Sequence, residues 1–146
     1  MHIVHISAEC YPVAKVGGLA DVVGALPKYQ TSLGHHAAEI SNSVIGIRSR
    51  VGKGSKIISC YIMGNDFYET IDDIENNDSI NFPKLGIGDY CILKNVIVDK
   101  DCRIGNNVTI IGGHHLENSD DPLFSIKDGI VVIKKSAIIN DGFELQ

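Results

Sequence analysis

Residues 85–111 read LGIGDYCILKNVIVDKDCRIGNNVTII. Aliphatic residues recur in this stretch about every six positions, at Ile87, Leu93, Val98, Ile104 and Ile110, with small or polar residues between them. That period marks a triangular β-helix: each hexapeptide forms one side of a coil, the aliphatic side chains stack inward, and Gly or Asn occupies the corners. An earlier series has the same spacing, namely Ile45-Gly46, Val51-Gly52, Ile57-Ile58 and Met63-Gly64. The two series belong to one internal repeat. Ile40, Asn42, Val44, Arg50, Val51, Gly52 and Ile57 recur as Leu93, Asn95, Ile97, Arg103, Ile104, Gly105 and Ile110, at a constant shift of 53 residues. Two stretches break the period. Phe67 to Lys84 is acidic and Asn-rich; Gly112 to Asp128 holds His114, His115, Asp120 and Asp121. Both are expected to loop out from the coil. The period resumes at Gly129 to Ile133 and runs to Leu145. The expected fold class is mainly β, with Ile45, Val51, Ile57, Ile87, Leu93, Ile104 and Ile110 in the core.

The composition agrees with this reading. A chain of 146 residues suffices for one ordinary domain with a real core. Apolar residues make up 44% and charged residues 21%, the balance of a globular chain. Ala and Leu are sparse while Ile, Val, Gly, Asn and Asp abound, which favours strands and turns. The formal net charge of −5 gives no electrostatic footprint for nucleic acid or an anionic membrane, so neither is an expected partner. Arg48, Arg50, Lys53 and Lys56 form a basic cluster that a solvated repeat edge explains better than an anion site. Cys10, Cys60, Cys91 and Cys102 form no CxxC pair and lack metal-ligand spacing. Thiols set among apolar residues suit a reducing cytosol, and a cytoplasmic protein is the expectation. The apolar strand His2 to Ile6 has neither a basic leader nor a long apolar run, so no secretory signal or membrane span is expected there. The sequons at Asn77 and Asn107 are then incidental.

The first 36 residues have a different character. His2 to Ile6 alternates and is β-branched, as a strand should be. Leu19, Val22, Val23, Leu26 and Leu33 fall near helical spacing, Gly34 sits where a helix would stop, and Pro27 should kink the run. Between strand and helix lies Lys15-Val16-Gly17-Gly18. Glycines let the backbone approach a ligand, the unpaired N–H groups of a helix start face an anion, and Lys15 adds charge. The stretch ECYPVAKVGGLADVVGALPKYQ, within Met1 to His35, closely resembles the start of bacterial glycogen and starch synthases, retaining glycosyltransferases that use ADP-glucose. The resemblance implies that Lys15, Gly17 and Gly18 correspond to that family's contacts with the nucleotide-sugar phosphates. It ends after Gly34, and one strand and one helix cannot close a two-domain cleft. The three residues are therefore expected to form a vestigial nucleotide-sugar site without useful affinity.

The remainder resembles another family. SVIGIRSRVGKGS, IMGNDFYET, LGIGDYCILKNVIVDKDCRIGNNVTII and GIVVIKKSAI, spread over residues 39–143, closely resemble the C-terminal domain of glucose-1-phosphate adenylyltransferase, which makes ADP-glucose. The resemblance implies a left-handed β-helix, against the usual crossover rule, that supports subunit assembly and part of an allosteric anion site. Lys135 follows the apolar run Ile130 to Ile133 where that family places a basic residue holding regulatory sugar-phosphates. At the loop position of a second basic residue this chain has Gly113. Lys135 is thus expected to give weak sugar-phosphate binding, since one exposed charge contributes little in water. The family's nucleotidyltransferase domain, with its glycine-rich loop, has no counterpart in the sequence.

Two further motifs were open to a chemical reading. Gly46 to Lys53 fails as a P-loop, because five residues separate Gly46 from Gly52 and Gly54 stands in place of Ser or Thr. His114-His115 invites comparison with hexapeptide acyltransferases that use a loop His as base, and with β-helical enzymes that hold zinc through three His. Adjacent side chains rarely ligate one metal and no third His lies nearby in a repeat, so a solvent-exposed pair is expected. The resulting expectation is a homo-oligomeric, non-catalytic β-helix (38–146) joined near residue 36 to a Rossmann-like strand-loop-helix fragment (1–36), the two pieces coming from consecutive steps of α-glucan synthesis. No cofactor, metal or catalytic residue is expected. The alternatives are a glucose-1-phosphate adenylyltransferase or glycogen synthase label inherited from a parent, and a small acyltransferase using His114 or His115 with coenzyme A.

Overall fold

The computed structural model describes residues 38–146. The chain winds through β1 (Glu39–Ser41), β2 (Val44–Ile45), β3 (Lys56–Ile58) and β4 (Tyr61–Ile62), then leaves the coil for helix α1 (Ile71–Ser79). It returns through β5 (Gly86–Ile87), β6 (Ile92–Lys94), β7 (Val96–Val98), β8 (Arg103–Ile104) and β9 (Thr109–Ile111). A hairpin follows, β10 (Ser119–Asp120) and β11 (Phe124–Lys127), then β12 (Ile130–Ile133), β13 (Ile138–Ile139) and β14 (Glu144–Leu145). Three sheets form the sides of the coil. The first has the order β1-β3-β6-β9-β14, the second β10-β11-β12-β7-β4-β2, the third β13-β8-β5. All coil-to-coil pairs are parallel, and only the hairpin pairs of β11 with β10 and β12 are antiparallel.

The register explains the internal repeat. Ile40 pairs with Ile57, Ile57 with Leu93 and Leu93 with Ile110. A shift of 53 residues is therefore two coils, one of which carries the first excursion. Inward side chains stack in columns: Ile57, Leu93 and Ile110 on one side, Ile62, Val98 and Ile133 on the next, Ile87, Ile104 and Ile139 on the third, all buried. Ile45 and Val51 depart from expectation: Ile45 is 37% exposed and Val51 is half-buried. Both lie on the outermost described coil, which has a stacked neighbour on one side among the described residues.

Corners are turned by residues in the left-handed region. Asn42, Ser59 and Asn95 follow the strands of the first sheet at successive levels, with φ of 47°, 53° and 54°. Short polar side chains tolerate that conformation and can bond locally. The Asn42 amide donates to Ser59 Oγ at 3.1 Å and the Asn95 amide to the Gly112 carbonyl at 2.9 Å. Another corner needs glycine for space. A Cβ on Gly88 would run into the carbonyl of Gly105 on the next coil, and one on Gly52 into the carbonyl of Gly88. Gly88→Ala should therefore cost roughly 3 kcal/mol, the upper end of overpacking penalties, read as a lowered urea midpoint.

The two excursions are ordered. Thr70 and Asp73 form a reciprocal cap at the start of α1: the Asp73 N–H donates to Thr70 Oγ1 at 3.1 Å, and the Thr70 N–H to Asp73 Oδ2 at 3.0 Å. Thr70-x-x-Asp73 is a capping-box pattern. The hydrogen bonds from Thr70 hold the Asp73 carboxyl below the usual carboxylate range. In the second excursion β11 turns into β12 through Asp128 and Gly129, with φ of 52° and 80°, as a two-residue hairpin loop requires.

Cys60, Cys91 and Cys102 are free and buried within the coil. Burial raises all three thiol pKa values, that of Cys102 to about 11. A folded-state pKa above the unfolded value of 9.0 means that the contribution is complete below pH 9 and is lost as pH climbs toward 11. For Cys102 this amounts to roughly 3 kcal/mol. Stability by denaturant titration should fall between pH 8 and 11, and Cys102→Ala, less stable at neutral pH, should lose less over that interval.

Candidate functional site

Coil stacking builds a charged corner where the second side meets the third. Because Val98 pairs with Ile133, Lys100 and Lys135 come to lie at equivalent points of adjacent coils. Asp66 reaches the same corner from the residues after β4, whose Ile62 pairs with Val98. Lys100 Nζ donates to Asp66 Oδ1 at 2.6 Å, and Lys135 Nζ donates to Asp66 Oδ2 at 3.2 Å. Asp101 completes the cluster: its Oδ1 accepts the Asp66 N–H at 2.8 Å, and its Oδ2 lies 3.7 Å from Lys135 Nζ. The hydrogen bond to Asp66 raises the Lys135 pKa, and the bonds from Lys100 and Lys135 lower that of Asp66. Lys134, next in sequence, turns elsewhere. It ties down the hairpin through Asp120 Oδ1 and the Asp121 carbonyl, both at 2.6 Å.

A second contact anchors the same excursion. Arg103 on β8 pairs with Glu69, and their side chains are 17% and 7% exposed. Glu69 also accepts from the Leu85 N–H at 2.8 Å and the Asn77 amide at 3.0 Å. Arg103 donates to the Pro83 carbonyl at 2.8 Å and stacks over Phe82, 5.1 Å from the ring centre. The start of the excursion is therefore fixed by an exposed pair at Asp66, and the nearly dry Glu69–Arg103 pair ties that start to the returning chain at Pro83 and Leu85.

The basic cluster of the sequence divides: Arg50 and Lys53 both reach Asp89, each at 3.8 Å, while Arg48 and Lys56 turn elsewhere. Arg48 stacks over Tyr68, Arg50 donates to the Ile87 carbonyl, Lys53 lies 3.8 Å from Asp89, and Lys56 lies 3.9 Å from Glu39. His114 and His115 are exposed, and among the described residues no group of three His, Cys, Asp or Glu could hold a metal ion. His114 does border a groove of about 540 Å³ on the second sheet, with Asn42, Tyr61, Asn95, Ile97 and Ile130. Gly113 lines the same groove. Lys15, Gly17 and Gly18 lie outside the described residues. Of Lys15, Gly17, Gly18 and Lys135, the last lies among the described residues; its partners Asp66 and Lys100 fall inside the stretches IMGNDFYET and LGIGDYCILKNVIVDKDCRIGNNVTII, where the six-residue period does not single them out. Their pairing depends on coil register across an excursion, which the period alone does not give. No described helix is long and apolar enough to cross a membrane.

A comparison with known families matches residues 33–143 to the GLGC left-handed parallel beta-helix domain. The match gives the hand of the coil, which the sheet order leaves unstated.

Proposed function

The chain belongs to the GLGC left-handed parallel β-helix domain family, and from that premise we propose that it is a non-catalytic assembly and regulatory β-helix of α-glucan synthesis. The observation that carries the assembly role is the outer row of the second sheet. Val44, Tyr61, Ile97 and Val132 stand side by side across four coils, with Val44 53% and Tyr61 48% exposed. The outward positions of the first sheet are mixed, with Glu39, Lys56, Lys94 and Glu144 standing among Ile58, Ile92 and Ile111. A contiguous apolar row on one side of a solvated coil suits contact with a second copy of the chain. Ile97→Glu should shift the protein toward monomer in light scattering without lowering its melting temperature by more than a few degrees.

Lys135 is the proposed contact for a sugar-phosphate, weakly held because its charge is exposed and already paired. Residues 1–36 are proposed as a remnant of a glycogen synthase-like domain, with Lys15, Gly17 and Gly18 supplying one wall of a cleft and no useful affinity. The position of His114 on the groove favours one competing reading, a small acyltransferase using coenzyme A. A thermal-shift screen separates these. Fructose bisphosphate should stabilise slightly, ADP-glucose and acetyl-CoA not at all. Stabilisation by acetyl-CoA would replace the non-catalytic reading with the acyltransferase one, which also requires a trimer.

A further inference from the structure

We propose that the groove on the second sheet binds a neutral glucose oligosaccharide, with a sugar face on Tyr61 and hydroxyls along the polar corner beside it. The choice of glucose rests on the reading of the chain as one of α-glucan synthesis; the choice of a neutral sugar rests on the groove itself. Its volume of about 540 Å³ is that of a small-molecule site. The floor is apolar: Tyr61, Ile97 and Ile130 line it, and Tyr61 and Ile130 are 48% and 44% exposed. A phenol ring open to solvent offers a flat apolar face with a polar tip, and the C–H face of a pyranose ring is its complement. One edge is polar and regular. Asn42, Ser59 and Asn95 occupy the same corner of three successive coils, about 4.8 Å apart.

The bonds inside that edge decide the ligand. The Asn42 amide is spent on Ser59 Oγ and the Asn95 amide on the Gly112 carbonyl. What remains is the Asn42 carbonyl oxygen, the Ser59 hydroxyl proton and the Asn95 carbonyl oxygen, which alternate acceptor, donor, acceptor up the corner. Sugar hydroxyls donate and accept, so they satisfy all three. Phosphate oxygens only accept, and would leave both Asn carbonyls without a partner. Asp128 adds a carboxylate to the lining, and no Lys or Arg lines the groove among the described residues. An anion is therefore disfavoured here by hydrogen bonding and by charge together. Tyr61 and Ile97 also stand in the apolar row proposed for self-association, so sugar and a second copy compete for them.

Titration of the full chain with maltotetraose, read from backbone amide NMR shifts, tests the proposal. The amides of Tyr61, Asn95 and Gly113, all on the groove, should move together with a dissociation constant of about 1 mM, as suits an open site. Tyr61→Ala should weaken binding roughly tenfold, and Tyr61→Phe, which keeps the ring face, should restore it. Light scattering on the same samples controls for assembly, since loss of self-association alone would tighten sugar binding and not weaken it. Cellotetraose bound more tightly than maltotetraose would keep the sugar site and overturn the α-glucan reading. The proposal itself is overturned if millimolar sugar moves none of the three amides, or if Tyr61→Ala leaves the titration unchanged. It is overturned equally if fructose bisphosphate moves those amides more than maltotetraose does.

Discussion

Leu93→Asp should leave the chain unfolded at 25 °C. Leu93 is fully buried between Ile57 on one coil and Ile110 on the next. A carboxylate there would have no partner, and either its charge or its protonation must be forced, at a cost of roughly 5 kcal/mol. That is comparable with the whole stability of many domains. Leu93→Ala, which leaves a cavity and no charge, should cost about 3 kcal/mol and keep the fold. The neighbouring residue supplies the control. Ile92 points outward from the same strand and is 39% exposed, so Ile92→Asp should change stability by no more than about 1 kcal/mol. Circular dichroism with urea titration measures all three. Equal losses at positions 92 and 93 would contradict the register.

The second large effect is expected at the anchor of the first excursion. Glu69→Ala strands the Arg103 guanidinium, 17% exposed, and removes the acceptor of the Leu85 N–H. Breaking one partner of a nearly buried pair costs about 3 kcal/mol, because the other charge stays behind without compensation. The loss should be local. Hydrogen exchange should rise across residues 70–85, while the amides of β6 and β9 keep their protection. A double-mutant cycle with Arg103→Ala should recover part of the loss, since the second change removes the stranded charge. Protection lost evenly over the whole coil would mean that the excursion and the coil are one cooperative unit.

The fold was largely legible in the sequence, and the reason is the simplicity of its period. Each side of the coil repeats one inward aliphatic position, so Ile57, Ile87, Leu93, Ile104 and Ile110 could be placed in the core by spacing alone. Ile45 and Val51 have the same spacing, yet burial depends also on where a coil sits in the stack, and spacing holds no information on that. The order inside the excursions had local signals that composition hid. Thr70-x-x-Asp73 caps α1, and Asp128-Gly129 turns the hairpin into β12, although both stretches look merely acidic or polar when taken whole. The candidate site was legible only at Lys135. Asp66 and Lys100 join it through pairing of strands separated by the first excursion, Ile62 beside Val98, and through Val98 beside Ile133. Such neighbours are far apart in sequence and share no motif.

Light scattering on the purified full chain, with a coupled pyrophosphate assay on the same sample, tests the central claim most directly. Nucleotidyl transfer depends on metal ions and basic groups clamping developing charge. The described carboxylates at the charged corner are instead engaged with lysines and backbone N–H groups. The account predicts the mass of a dimer or larger assembly and no pyrophosphate release from ATP and glucose 1-phosphate above background. A monomeric mass at micromolar concentration, or pyrophosphate release dependent on both substrates, would contradict it.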